Sequence, residues 1–94
     1  MNKLPKDTMI AQTKDQVSCD MDGEAVILNH RKGVYYGLDP VGSTIWNLLQ
    51  KPIRVEEIQN QLLQSYDVEP ARCGRDLLKL LKKLMSEGLV EIHE

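Results

Sequence analysis

The stretch Asp22-Gly23-Glu24-Ala25-Val26-Ile27-Leu28-Asn29-His30-Arg31-Lys32-Gly33-Val34-Tyr35-Tyr36-Gly37-Leu38-Asp39-Pro40 sets the fold of this chain. Asp-Gly is a strong hairpin-turn signal, and the apolar run Ala25–Leu28 has strand length. The polar turn Asn29–Gly33 follows it. Val34 to Leu38 then alternates, with Val34, Tyr36 and Leu38 on one face and Tyr35 and Gly37 on the other. Asp39 is a good helix N-cap and Pro40 a good first helical residue, so the β region stops there. Upstream, Gln16–Asp20 alternates and Met9-Ile10-Ala11 is a short apolar run. Thr8 to Leu38 therefore reads as a small antiparallel meander. Its last strand has no later partner of strand character except the tail Leu89–Ile92.

Downstream the period changes to that of helices. The helix opened by Asp39 carries Ile45, Trp46, Leu48 and Leu49 and ends at Lys51-Pro52. A second spans about Val55 to Tyr66, with Val55, Ile58, Leu62 and Tyr66 at helical spacing and Glu56 and Glu57 suited to its positive end. A third begins near Pro70 and stops at Gly88. The expected architecture is α+β and winged-helix-like: a three-stranded antiparallel sheet followed by three helices. Residues 1–7 are expected to be a flexible N-terminus and 8–94 one domain.

On the third helix Leu80, Cys73, Leu84, Leu77, Leu81, Met85 and Leu78 cover an arc of about 160° at roughly 100° per residue. A helix covering a core on one side needs only about 100°. Either the helix is wedged between the other two, or one margin of the arc lines an open groove; the two are compatible. The opposite side carries Arg72, Arg75, Lys79, Lys82 and Lys83.

Composition narrows the function classes. The 94 residues carry a net charge of −2, which counts against a dedicated nucleic-acid binder. No segment has the length and apolarity of a membrane span and none resembles a signal peptide, so a cytoplasmic protein with reduced thiols is expected. Catalysis has no candidate. Cys19 and Cys73 show no metal-ligand or redox spacing, His30 and His93 lie in a turn and at the tail, and no phosphate-binding or nucleophile motif occurs. Cys73 and Trp46 read as core residues. Adjacent strand residues face opposite ways, so one of Tyr35 and Tyr36 faces the helices and the other faces away. An exposed strand edge beside an aromatic side chain can accept another peptide strand.

The run Gly33-Val34-Tyr35-Tyr36-Gly37-Leu38-Asp39, with Gly42, Ile45-Trp46 and Leu48-Leu49, resembles the stand-alone PqqD-like proteins of lasso-peptide pathways. Val55-Glu56-Glu57-Ile58, Tyr66-Asp67-Val68, Asp76-Leu77, Leu80-Leu81, Leu84 and Gly88-Leu89-Val90 extend the likeness over about residues 15–92. Arg54 departs from it, standing where a Ser or Thr cap is more typical. The resemblance implies a non-enzymatic element without cofactor or metal that binds the leader segment of a precursor peptide. The leader would add a strand to the edge formed by Val34, Tyr35, Tyr36, Gly37 and Leu38. Its side chains would enter a groove walled by Leu77, Leu80, Leu81 and Leu84 and bordered by Leu78 and Met85, with Arg75, Lys79, Lys82 and Lys83 for acidic residues. Implied partners are the precursor leader peptide and the leader protease and cyclase, with no nucleic acid and no membrane, the protein being a monomer or weak dimer. The rival readings are a PqqD-type peptide chaperone for a radical enzyme and a winged-helix DNA-binding domain.

Overall fold

The computed structural model describes residues 4–14 and 16–93. The elements run β1 (Met9–Gln12), β2 (Gln16–Met21), β3 (Glu24–Asn29), β4 (Val34–Gly37), α1 (Pro40–Leu48), β5 (Ile53–Arg54), α2 (Val55–Ser65), α3 (Pro70–Ser86) and β6 (Val90–Ile92). The expected meander is the sheet β2-β3-β4, antiparallel throughout. Its first turn is the two-residue loop Asp22-Gly23, both with positive φ, and the Asp20 carboxylate accepts the Gly23 N–H at 2.9 Å.

The run at Met9–Gln12 leaves that meander. It forms the centre of a second antiparallel sheet, between the two-residue β5 and the C-terminal β6. Ile10 is fully buried and Ala11 nearly so, which fixes β1 over the core instead of at the meander's rim. The tail strand, the one candidate partner for β4 legible in the sequence, is thus taken by β1, and β4 is left as an outer strand.

Helix boundaries follow their local signals. Asp39 caps α1 by accepting the Gly42 N–H at 2.7 Å. Arg54 gives α2 no side-chain cap; the first two amides of that helix donate instead to the Thr8 and Lys6 carbonyls, at 3.0 and 2.9 Å. The segment expected to be a flexible terminus therefore has two parts. Residues 1–3 lie outside the described residues, whereas Leu4 packs against the core and Lys6 takes part in this cap. α3 ends in a Schellman arrangement: Leu89 N–H donates to the Leu84 carbonyl and Gly88 N–H to that of Met85, with Gly88 at φ 74.

The core joins both sheets to all three helices through Ile10, Ile27, Trp46, Leu49, Ile58, Leu77, Leu81 and Leu89, all fully buried. Trp46 is the anchor its sequence context suggests, with its indole N–H donating to Ser18 Oγ at 3.0 Å. No helix among the described residues is long and apolar enough to cross a membrane.

Candidate functional site

In an antiparallel pair, opposed residues alternate between exchanging main-chain hydrogen bonds and turning those groups away. Leu38 lies opposite Ala25 in the β3–β4 register and its N–H donates to the Ala25 carbonyl at 2.9 Å. The return bond is relayed by Ser43, whose buried hydroxyl accepts the Ala25 N–H at 2.6 Å and reaches the Leu38 carbonyl at 3.3 Å. The alternation then turns the main-chain groups of Tyr36 and Val34 toward β3 as well. The N–H and C=O groups of Tyr35 and Gly37 point off the sheet's free edge.

Side chains alternate the other way. Tyr36 lies on the helix side, half-buried, and Tyr35 is 69% exposed on the outer face beside Leu28 and Val17 of the same row. The turn between β3 and β4 is held by Asn29, which is buried. Its Oδ1 accepts the Arg31 and Lys32 amides and its Nδ2 donates to the Glu87 carbonyl at 2.8 Å. The Glu87 carboxylate accepts from the Tyr36 hydroxyl and from Lys32 Nζ. These bonds hold the Glu87 acid below its usual range and push the Tyr36 phenol up. The hairpin is thereby bolted to the C-terminal end of α3 and diverges from it toward α1.

A cleft of about 970 Å³ opens along this divergence. One side is the end of β4 and the start of α1, at Gly37, Leu38, Val41, Gly42 and Ile45. The other is α3, at Cys73, Leu77 and Leu80, and Leu62, Tyr66 and Val68 line the cleft from α2 and the loop into α3. The floor is apolar and the charged side chains, among them Lys79 and Lys83, stand at the rim. Burial, then Asp76, pushes the Cys73 thiol up, which keeps it in the unreactive protonated form. No cluster that could hold a metal ion occurs among the described residues.

A family model, coenzyme PQQ synthesis protein D (PqqD), matches residues 24–90. The chain belongs to the PqqD family. Among solved structures, TbiB1 in complex with the TbiA(beta) leader peptide is 37% identical, with a TM-score of 0.82 over 89% of this chain and 98% of that one. A lasso peptide synthetase B1 complexed with the leader peptide is 22% identical, with a TM-score of 0.77 over 87% of this chain and 96% of that one, and shares the fold. No curated protein sequence matches the chain.

Within this PqqD-family domain the residues singled out from sequence separate into groups. Gly37, Leu38, Leu77 and Lys79 come together in the cleft, joined by Leu80 and Lys83. Val34, Tyr35 and Tyr36 continue the same strand toward the hairpin turn. Leu81 is fully buried beneath the wall. Leu78 and Met85 pack against the core from the opposite margin of α3, the side on which Gly74 lies against Gln59 of α2. Arg75 and Lys82 are exposed on that farther side and do not line the cleft. The wide apolar arc thus has two causes at once: one margin abuts α2 and the other faces the cleft. The contributions of Val41, Ile45, Leu62 and Tyr66 were hidden in sequence because each also fits an ordinary amphipathic pattern.

Proposed function

We propose that this protein binds the leader segment of a ribosomally made precursor peptide as an added strand on β4. It then presents the precursor to the leader protease and the cyclase of a lasso-peptide pathway, itself catalysing nothing. The observation that carries this reading is the pairing of an unfilled strand edge with an apolar cleft. Tyr35 and Gly37 offer main-chain donors and acceptors outward, and Gly37 and Leu38 open directly onto the wall formed by Leu77 and Leu80. The leader peptide in the TbiB1 structure supports the choice of ligand.

The division of labour follows from magnitudes. Each main-chain hydrogen bond contributes about 1 kcal/mol net and is indifferent to sequence. Alternate side chains of the added strand drop into the cleft, and each buried apolar anchor contributes roughly 1.5–3 kcal/mol. Two or three anchors therefore choose the leader, while the edge fixes its register. Holding the precursor on a scaffold shared with the enzymes raises its effective concentration there.

Fluorescence anisotropy with a labelled leader peptide tests the proposal, with nanomolar to micromolar dissociation constants expected. Salt-sensitive binding to duplex DNA and none to the leader would sink it. The family's PQQ-synthesis name favours one alternative, a peptide chaperone for a radical enzyme. Co-purification with a radical enzyme in place of a protease and cyclase distinguishes that role; the cleft would act in the same way.

A further inference from the structure

The charges at the rim of the cleft are sorted along its length. Asp39, Asp67 and Glu69 stand at the end formed by the start of α1 and the loop into α3. One turn into α3, Arg72 and Asp76 pair with one another at 3.7 Å, so they add little net charge. Further along come Lys79 and Lys83, both exposed and, among the described residues, without an ion pair of their own. They lie toward the end of α3 that Asn29 and Glu87 bind to the hairpin. Glu87, one turn beyond Lys83, is bonded to Lys32 and Tyr36, and Lys83 acts on it only through space, without a direct bond. The cleft is acidic at one end and basic at the other.

Direction on β4 follows from the sheets, in which every pairing is antiparallel. A strand that continues this pattern runs opposite to β4, entering beside Gly37 and leaving beside Val34. Its N-terminal part then passes the carboxylates and its C-terminal part the lysines. We propose that the cleft selects peptides by the order of their charges: basic residues before the apolar segment that fills the cleft, acidic residues after it. From Glu69 to Lys83 the helix rises about 21 Å at ~1.5 Å per residue. An extended peptide covers that in about six residues, which sets the spacing between the two charged groups. The inference rests on strand addition at β4 and adds to it a polarity that the edge alone does not specify.

A displayed library of random peptides about 12 residues long, selected on the whole protein, tests this. Expected winners carry Lys or Arg ahead of an apolar core and Asp or Glu behind it. Exchanging the two charged groups of a winner should weaken it about three- to tenfold at low salt, a gap that closes at high salt. Selection on the double variant Lys79→Glu/Lys83→Glu should lose the trailing acidic preference and keep the leading basic one. Winners without charge order, with the reverse order, or with unchanged preferences on the double variant overturn the proposal. Binding to the variant Tyr35→Pro separates the two layers. Unordered winners that Tyr35→Pro no longer binds leave strand addition standing and remove the charge code alone. Winners that Tyr35→Pro binds at full strength, or a selection with no winners, remove both.

Discussion

The Tyr36 hydroxyl on β4 donates to the carboxylate of Glu87, the residue that follows the last turn of α3. Two residues 51 positions apart in the chain are joined just beyond the part of the cleft lined by Gly37 and Lys83, and Lys32 shares the same carboxylate at 3.1 Å. The joint sets how far the β4 edge can move from the helix, and so how wide the cleft can gape.

A pH dependence follows. The Tyr36 hydrogen bond, then Lys32, lowers the Glu87 acid in the folded protein. Its stabilising contribution is complete above the ordinary glutamate value of about 4.3 and is lost as pH falls through the lower folded value. Tyr36 acts in the opposite sense: raised by Glu87, it contributes below about pH 10 and loses that contribution as pH rises through its higher folded value. The groups are solvent-accessible, so both effects are modest. Glu87→Gln keeps an oxygen for the Tyr36 hydroxyl and removes the titration. Its melting temperature should fall less steeply than the wild type's as pH is lowered below the ordinary glutamate value of about 4.3. Parallel curves would show that Glu87 is not coupled to folding.

Asn29 carries the same joint through the main chain. Replacing it by Ala deletes two acceptor bonds to the turn and the donor bond to the Glu87 carbonyl, which takes a partner from three part-buried main-chain groups. The expected cost is about 2–3 kcal/mol by urea denaturation. Asn29→Asp keeps both turn bonds but sets a carboxylate against the negative end of α3, so it should also be destabilised. An Asp variant as stable as the wild type would mean that the helix contact contributes nothing.

Leu80 and Leu81 are neighbours in sequence with different tasks. Leu81 is fully buried under the core, and its truncation to Ala should cost about 3 kcal/mol. Leu80 is half-buried and lines the cleft, so Leu80→Ala should cost about 1 kcal/mol of stability while weakening leader binding severalfold. Thermal melts and anisotropy titrations on both variants read the split directly. Equal binding losses after correction for the unfolded fraction would place the contact elsewhere.

Turn and cap chemistry made much of this fold legible. Asp22-Gly23, Asp39-Pro40 and Gly88 each mark a boundary that local backbone geometry enforces, and the structure has its boundaries there. The second sheet was not legible, because β5 is only Ile53-Arg54 and β1 and β6 meet across almost the whole chain. Pairings so short are decided by burial of Ile10 and Val90, not by a local pattern. The α3 side of the cleft showed in sequence as an arc too wide for one interface. Which margin was open did not, since helical spacing places Leu78 and Leu80 on the arc alike, and only the position of α2 distinguishes them.

Proline separates the two directions in which β4 turns its main chain. Proline has no N–H, so it removes one bond, and the parity of the position decides whose bond that is. Tyr36 directs its N–H to β3, as the bond from Leu38 to Ala25 two residues on requires. Tyr36→Pro should therefore break the ladder in the middle of a four-residue strand and also delete the hydroxyl that holds Glu87. A marked loss of stability is expected, visible as a lowered melting temperature in circular dichroism. Tyr35 directs its N–H outward and its side chain to solvent, so Tyr35→Pro should fold with a melting temperature close to the wild type's. A carbonyl of the incoming leader then lacks its main-chain donor, and the leader meets the proline ring where a strand should lie. Loss of that bond alone costs about 1 kcal/mol, and the ring's exclusion of a close-packed strand should bring the total to tenfold or more in affinity. A Tyr35→Pro protein that melts normally and binds the leader at wild-type strength would rule out strand addition on β4, and recognition would then rest on the face of α3 alone.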